Sequence, residues 1–316
     1  MKILFLHFPI DNDQIESKTL PDYFSSMGHE VYSAFEKKER NFYSIHNGID
    51  KPITKVNKNF IKQIKFNAII CKNDSYQKYG KIFSNENCII INITPMGIKN
   101  NYLNCNYFFN EDELIKSPVK EMQYIFDNNF IKWENRKNQI IVPASIGSDK
   151  NQKEIVDFVD KDIFKNFNFL FAGKVYSKYY KDYLENTLNK KNIKCNFKYL
   201  SREELAYEFL NSKLTMLTTD PRPSQPFDPG PRVIYESIRA GTICIINDLV
   251  KINKHCSPFC YVYQNSSKES FDKHCKIFFN NDNNDMSDRC YKNGKEYITI
   301  EYACKSAYSR IIKWIT

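Results

Sequence analysis

The 316-residue sequence contains no run approaching the roughly 18 apolar residues that a membrane-spanning helix needs. It has no CxxC pair, and its ten cysteines show neither paired spacing nor the framework of a small disulfide scaffold. Cys71, Cys88 and Cys244 stand inside apolar runs, where a free thiol behaves as a small hydrophobe. His255, Cys256 and Cys260 are too few and wrongly spaced for a zinc site. There is no basic tail. The net charge of +9 is spread along the chain, which is compatible with anionic ligands. No RNA-binding signature, basic-aromatic cluster or helix-turn-helix is present, so no nucleic-acid partner is expected. The opening Met1-Lys2-Ile3-Leu4-Phe5-Leu6-His7 begins like a signal peptide, but Asp11 and Asp13 end the apolar run early. It reads as a first β-strand of a cytoplasmic protein.

What is present is an alternation. Short apolar runs at residues 2–7, 30–33, 67–71 and 88–93 are separated by helical patterns, and the second half repeats the scheme. Its runs lie at 139–143, 168–172, 194–199, 214–218, 243–247 and 259–263. Such alternation marks parallel sheets covered by helices, an α/β fold of two Rossmann-like doubly wound units. The polar stretch Trp133-Glu-Asn-Arg-Lys-Asn138 suggests a boundary after 136, giving domains 1–136 and 137–290. Residues 291–316 read as closing helices that return to the first domain.

The most informative segment runs from Asp220 to Ile246. Its prolines make a stiff loop, after which Pro231 can open a helix. The first amides of that helix, from Arg232 and Val233, lack partners within it and favour a bound phosphate. Gly241 stops the helix, and residues 243–246 form the next buried strand. On this helix stands Glu236, and seven residues separate it from Asp228.

This pattern, Asp228 followed by Glu236-Ser-Ile-Arg-Ala-Gly241 and Thr-Ile-Cys-Ile-Ile246, resembles the C-terminal domain of GT-B-fold glycosyltransferases, especially retaining glycosyltransferase family 4. The resemblance implies two Rossmann-like domains facing a cleft, with a nucleotide-sugar donor bound mainly by residues 138–280. It implies that Asp228 accepts hydrogen bonds from donor-sugar hydroxyls, that Glu236 accepts them from the ribose, and that the amides around Gly230 to Val233 face the diphosphate. Carboxylates suit the first two tasks because each oxygen accepts from neighbouring hydroxyls. Two departures stand out: Pro231 replaces the family's usual glycine, and Asp228 is one methylene shorter than the family's glutamate.

The family also places a basic pair after the first strand of this domain. Lys150 matches the second member; the first has no counterpart near Ala144 or Ser145, where Arg232, Arg222 or Lys174 can compensate. A solvated surface residue is the alternative for each. Gly173 ends a strand at the carboxyl edge where open α/β sheets admit ligands. Tyr199 and Leu200 resemble the turn that borders the nucleotide base, and Ser201 with Glu204 also reads as a capping box.

The expected reaction is metal-independent glycosyl transfer with retention to a glycan or lipid-linked acceptor. No cofactor is expected, and no side chain is assigned as base. An inverting, exostosin-like enzyme is the second reading and would draw a base from His7 or Asp11. A non-catalytic nucleotide- or nucleic-acid-binding protein is the third. Residues 55–65 place Val56, Phe60 and Ile64 on one helical face; packing on the first sheet is favoured over contact with an anionic membrane.

Overall fold

The computed structural model describes residues 1–6, 19–36, 42–46, 54–72, 88–94, 107–110, 118, 120–221 and 227–316. The chain divides into two compact units, Met1–Leu114 with Ile300–Thr316, and Ile115–Thr299. The polar stretch at 133–138 therefore lies inside the second unit, because the helix before it packs there. Of the closing helices, only the last joins the first unit.

In the first unit, β1 (Lys2–Leu6), α1 (Thr19–Ser26), β2 (Glu30–Glu36), β3 (Phe42–His46), β4 (Thr54–Asn57), α2 (Lys58–Gln63), β5 (Ala68–Lys72), β6 (Ile89–Thr94) and β7 (Tyr107–Asn110) follow in order. They build one sheet of order β4-β3-β2-β1-β5-β6-β7. Successive side chains of a strand point to opposite faces, and β1 uses both. Ile3 and Phe5 pack with Phe24 of α1 and with Ala307 and Ile311 of the C-terminal helix, Ile300–Ile315. Leu4 and Leu6 pack with Ile61 and Phe66 on the other face.

The sheet is not wholly parallel. Strands β2, β3 and β4 pair antiparallel at one edge. Residues 55–65 are split between β4 and α2, so their helical period never forms. Ile61 fills the core, Val56 and Ile64 are packed against it, and Phe60 turns outward at 49% exposure.

The second unit begins with α3 (Lys120–Asn128) and continues through β8 (Lys137–Val142), α4 (Gln152–Phe158), α5 (Lys161–Phe164), β9 (Asn168–Ala172), α6 (Lys178–Lys190), β10 (Lys194–Lys198), α7 (Arg202–Asn211) and β11 (Ser212–Leu217). After these come β12 (Asp228–Pro229), α8 (Arg232–Arg239), β13 (Ile243–Asn247), β14 (Val250–Lys251), β15 (Cys260–Tyr263), α9 (Lys268–Asn280) and α10 (Asn283–Tyr297). Its main sheet is parallel with order β10-β9-β8-β11-β13-β15. Strand order reverses between β8 and β11, and the crevice beyond the carboxyl ends of such a pair is where ligands bind in open α/β sheets.

Helix α8 is buried from Ile234 to Arg239, so its position is fixed by packing rather than propensity. It ends in a Schellman motif: Gly241 adopts φ 76°, its N–H donates to Ile238 O (2.9 Å), and the Thr242 N–H donates to Ser237 O (2.8 Å). A β-carbon at Gly241 would also meet the Phe130 ring at 2.9 Å. Beside it the buried guanidinium of Arg136 donates to four acceptors: Ile131 O (2.9 Å), Ser212 O (3.2 Å), Thr242 Oγ1 (2.8 Å) and Ala240 O (2.8 Å). Burial pulls its pKa down to about 10, which leaves it charged at neutral pH. One residue before the glycine-capped end, Arg239 pairs with Asp127 of α3, its guanidinium 5.6 Å from the Tyr291 ring centroid.

Cys195, Cys244, Cys256, Cys260, Cys275 and Cys290 form no disulfide, and no helix among the described residues is long and apolar enough to cross a membrane. Replacing Arg136 by Leu strands four buried acceptors at once, for an expected loss of about 2–4 kcal/mol. Urea unfolding measures this; an unchanged midpoint would show that the fork holds nothing.

Candidate functional site

At the carboxyl end of β8 the chain turns through Ser148–Lys150, and Asn151 takes a left-handed conformation (φ 45°) before α4. The turn is tied to the neighbouring strand across the switch point, since the Thr218 hydroxyl donates to Lys150 O at 2.8 Å. Lys150 then points to Asp228, and its Nζ donates to Oδ2 at 2.8 Å. The sequence placed these residues in different motifs; the fold makes them one ion pair, with the Asp228 side chain only 14% exposed.

Asp228 is held by backbone on both sides. Strands β12 and β14 pair in parallel, the Asp228 N–H donates to Leu249 O (2.9 Å), and the Gly230 N–H donates to Lys251 O (2.7 Å). The Gly230 amide, expected to face a diphosphate, thus donates within the protein, and its φ of 66° is one that glycine adopts without steric cost. Pro231, the N-cap of α8, contributes no N–H. Helix geometry leaves the Val233 amide without an intrahelical acceptor, and the Val233 side chain, like that of Leu200, packs against an apolar cluster.

Glu236 lies in the second turn of α8. Its side chain is 0% exposed, and neither carboxylate oxygen has a hydrogen-bond partner. The guanidinium of Arg202, at the start of α7, lies 3.5 Å from Oε1, at ion-pair distance but without hydrogen-bond alignment. Burial drives the Glu236 pKa up, and Arg202 and then Arg232 pull against it. A buried carboxylate lacking donors is costly.

The remaining predicted residues separate. Gly173 is required by close approach: a β-carbon would sit 2.0 Å from Ala144 O, and its own N–H already donates to Lys198 O at 2.8 Å. Lys174 is exposed, its Nζ 5.2 Å from the Tyr176 ring centroid. Tyr199 is 79% exposed, whereas Leu200 is partly buried; Ser201 and Glu204 form the full capping box. Arg222, His7 and Asp11 lie outside the described residues.

Two residues of the site escaped the sequence reading. Arg202 was visible only as a helix start, and nothing local linked it to Glu236, 34 positions on (236 − 202). Thr218 follows β11 at the switch point, and its position at the carboxyl end of a central strand was the available signal.

The two doubly wound units, with a parallel sheet and a site at the carboxyl edge of the second, define a GT-B fold. Solved structures share it across nearly the whole length. A glycosyltransferase from Rickettsia africae ESF-5 superimposes with TM-score 0.64 at 10% identity, covering 100% of this chain and 98% of that one. Sucrose-phosphate synthase from Thermosynechococcus elongatus gives TM-score 0.64 at 9% identity, covering 99% and 98%. An alpha-glucosyltransferase in complex with UDP and DNA gives TM-score 0.57 at 12% identity, covering 98% and 99%. Residues 125–297 match the model of the glycosyl transferases group 1, and the chain belongs to that family. It is a glycosyltransferase. No curated protein matches it in sequence.

Because the folded state raises the Glu236 pKa, it binds that proton more tightly than the unfolded chain does. The penalty is therefore absent below the unfolded pKa near about 4.3 and grows as pH rises toward the folded value. Glu236→Gln is expected to raise the thermal midpoint, and by more at about pH 8 than at about pH 5. Parallel melts test the sign; a gap that shrinks with rising pH would contradict it.

Proposed function

We propose that this enzyme moves a glycosyl group from a nucleoside diphosphate sugar to a glycan or lipid-linked acceptor, with retention of configuration and without a metal. The observation that carries this reading is the buried, donor-less carboxylate of Glu236 on α8. Two adjacent ribose hydroxyls supply the two hydrogen bonds that the carboxylate lacks. Asp228, one loop earlier, accepts from hydroxyls of the transferred sugar, while Lys150 and the Val233 amide face the diphosphate. The second unit is thus assigned the donor and the first the acceptor.

The chemistry follows from that placement. As the bond from the anomeric carbon to the phosphate oxygen breaks, negative charge develops on the diphosphate. Lys150, the Val233 amide and Arg232 stabilise it, the task a divalent cation performs elsewhere. The departing phosphate oxygen takes the acceptor's hydroxyl proton while the acceptor oxygen bonds the anomeric carbon from the same face. No side chain then needs to act as base. Lys150 is already committed to Asp228 at 2.8 Å, so donor binding rearranges an existing pair rather than recruiting a free lysine.

A thermal-shift panel of UDP-, GDP- and ADP-sugars tests the site. At a hundredfold excess over Kd a donor stabilises by about 2.7 kcal/mol, and Asp228→Ala and Glu236→Ala are expected to lose most of that shift. A donor that protects wild type and both variants equally would remove the proposed site. With the donor known, Lys150→Met is expected to lower kcat by about a hundredfold. Proton NMR coupling of the product reports retention, and an inverted anomeric centre overturns the mechanism.

A further inference from the structure

Glu236 is wholly buried, so the charges around it decide in which state it meets a ligand. They are few. Helix α7 presents Arg202, 3.5 Å away, and α8 itself presents Arg232 one turn earlier. Asp127 of α3 is engaged by Arg239, one turn later on α8. From α10 the neutral groups Ser287 and Cys290 meet the far end of the helix at Gly241 O (2.7 Å) and Ile238 O (3.5 Å). On the sheet side Thr215 of β11 meets Ser237 at 2.9 Å.

Arg202 is also in a position its own helix does not favour. It is the first residue of α7, where the helix dipole prefers anions, and Glu203 and Glu204 follow that rule. Its side chain is 49% exposed, yet its guanidinium turns to a buried carboxylate on another helix. The local sequence gives no reason for a cation there; Glu236 does.

We propose that Arg202 is a positioning residue for the nucleotide, holding Glu236 as an anion so that its two oxygens accept both hydroxyls of a bound ribose. This rests on the ribose role given to Glu236 above. A carboxylate offers two acceptor oxygens to a cis-diol, whereas the neutral acid offers one acceptor and one donor and mismatches a hydroxyl pair. Burial without an opposing charge favours the neutral acid, and an arginine within ion-pair distance favours the anion.

The test measures Kd for UDP, GDP and ADP by calorimetry from about pH 6 to about pH 9, on wild type, Glu236→Gln, Arg202→Gln and Arg202→Lys. Each variant is compared with wild type at the same pH, which cancels the titration of the terminal phosphate near about pH 6. Without Arg202 the Glu236 pKa rises further, so the anion is lost at the acid end and recovered at the alkaline end. Arg202→Gln is expected to bind about tenfold more weakly at about pH 6 and to converge on wild type by about pH 9. Arg202→Lys keeps the charge and is expected to follow wild type throughout. Glu236→Gln, which never carries the charge, is expected to bind more weakly than wild type, most so at the alkaline end.

A pH-independent ratio for Arg202→Gln overturns the proposal, whether that ratio is unity or larger, because a structural role would weaken binding equally at all pH values. If Glu236→Gln binds as wild type does, or wild type binds none of the three nucleotides, the ribose site itself falls and takes the proposal with it.

Discussion

The buried fork of Arg136 is the interaction on which the geometry of the site depends. It stands immediately before β8 and donates to the carbonyl of Ala240, which caps α8, to the start of β11 and to the Thr242 hydroxyl that opens the way to β13. Three elements of the second unit are thereby fixed at the end of the sheet away from the site. A guanidinium suits the task because its donors lie in one rigid plane and its charge complements the carbonyl end of a helix dipole. Helix α8 has eight residues, about 12 Å of rise, so clamping its carboxyl end also sets where Arg232 and Glu236 stand.

The site at the other end is built from two carboxylates treated oppositely. Asp228 lies on a two-residue strand, pinned by backbone hydrogen bonds, and has a lysine at hydrogen-bond distance. Glu236 is more fully buried, carries no hydrogen bond and meets a guanidinium at ion-pair distance without hydrogen-bond alignment. Both belong to a segment whose regular part, from α8 through Gly241 to β13, is among the most buried in the unit. A rigid scaffold can carry an unsatisfied charge that a loop could not, since a loop would relax to let water in. Packing strength in α8 and poor solvation of Glu236 are two sides of one arrangement.

How much was legible in the sequence divides along the same line. The strands of the second sheet, the Gly241 stop and the capping box of α7 were readable because each is a local signal: a short apolar run, a left-handed glycine, a serine with glutamate three residues on. The antiparallel edge β2-β3-β4 was not readable, because β3 and β4 are short and the pattern around Val56 mixes two periods. Arg136 looked like part of a polar boundary, since burial of an arginine by carbonyl oxygens leaves no mark on its neighbours. Gly230 is a further case: the sequence offered its amide to a diphosphate, and nothing local showed that, at a φ of 66°, the amide donates to Lys251 O of β14.

The Gly230 bond narrows how the proposed diphosphate would be held. With the Gly230 amide engaged and Pro231 lacking one, these two residues offer it no free N–H, and the proposed anion site contracts to the first turn of the helix. Anion binding at a helix end needs charge from elsewhere when few amides point at the ligand. Lys150 is the charge that the fold delivers, across the switch point and through the turn that Thr218 holds. The engaged amide of Gly230, the proline at 231 and the pairing of Lys150 with Asp228 belong together. In the proposed reading, a side chain positioned by its partner carboxylate takes the part that amides play in a glycine-rich phosphate-binding turn.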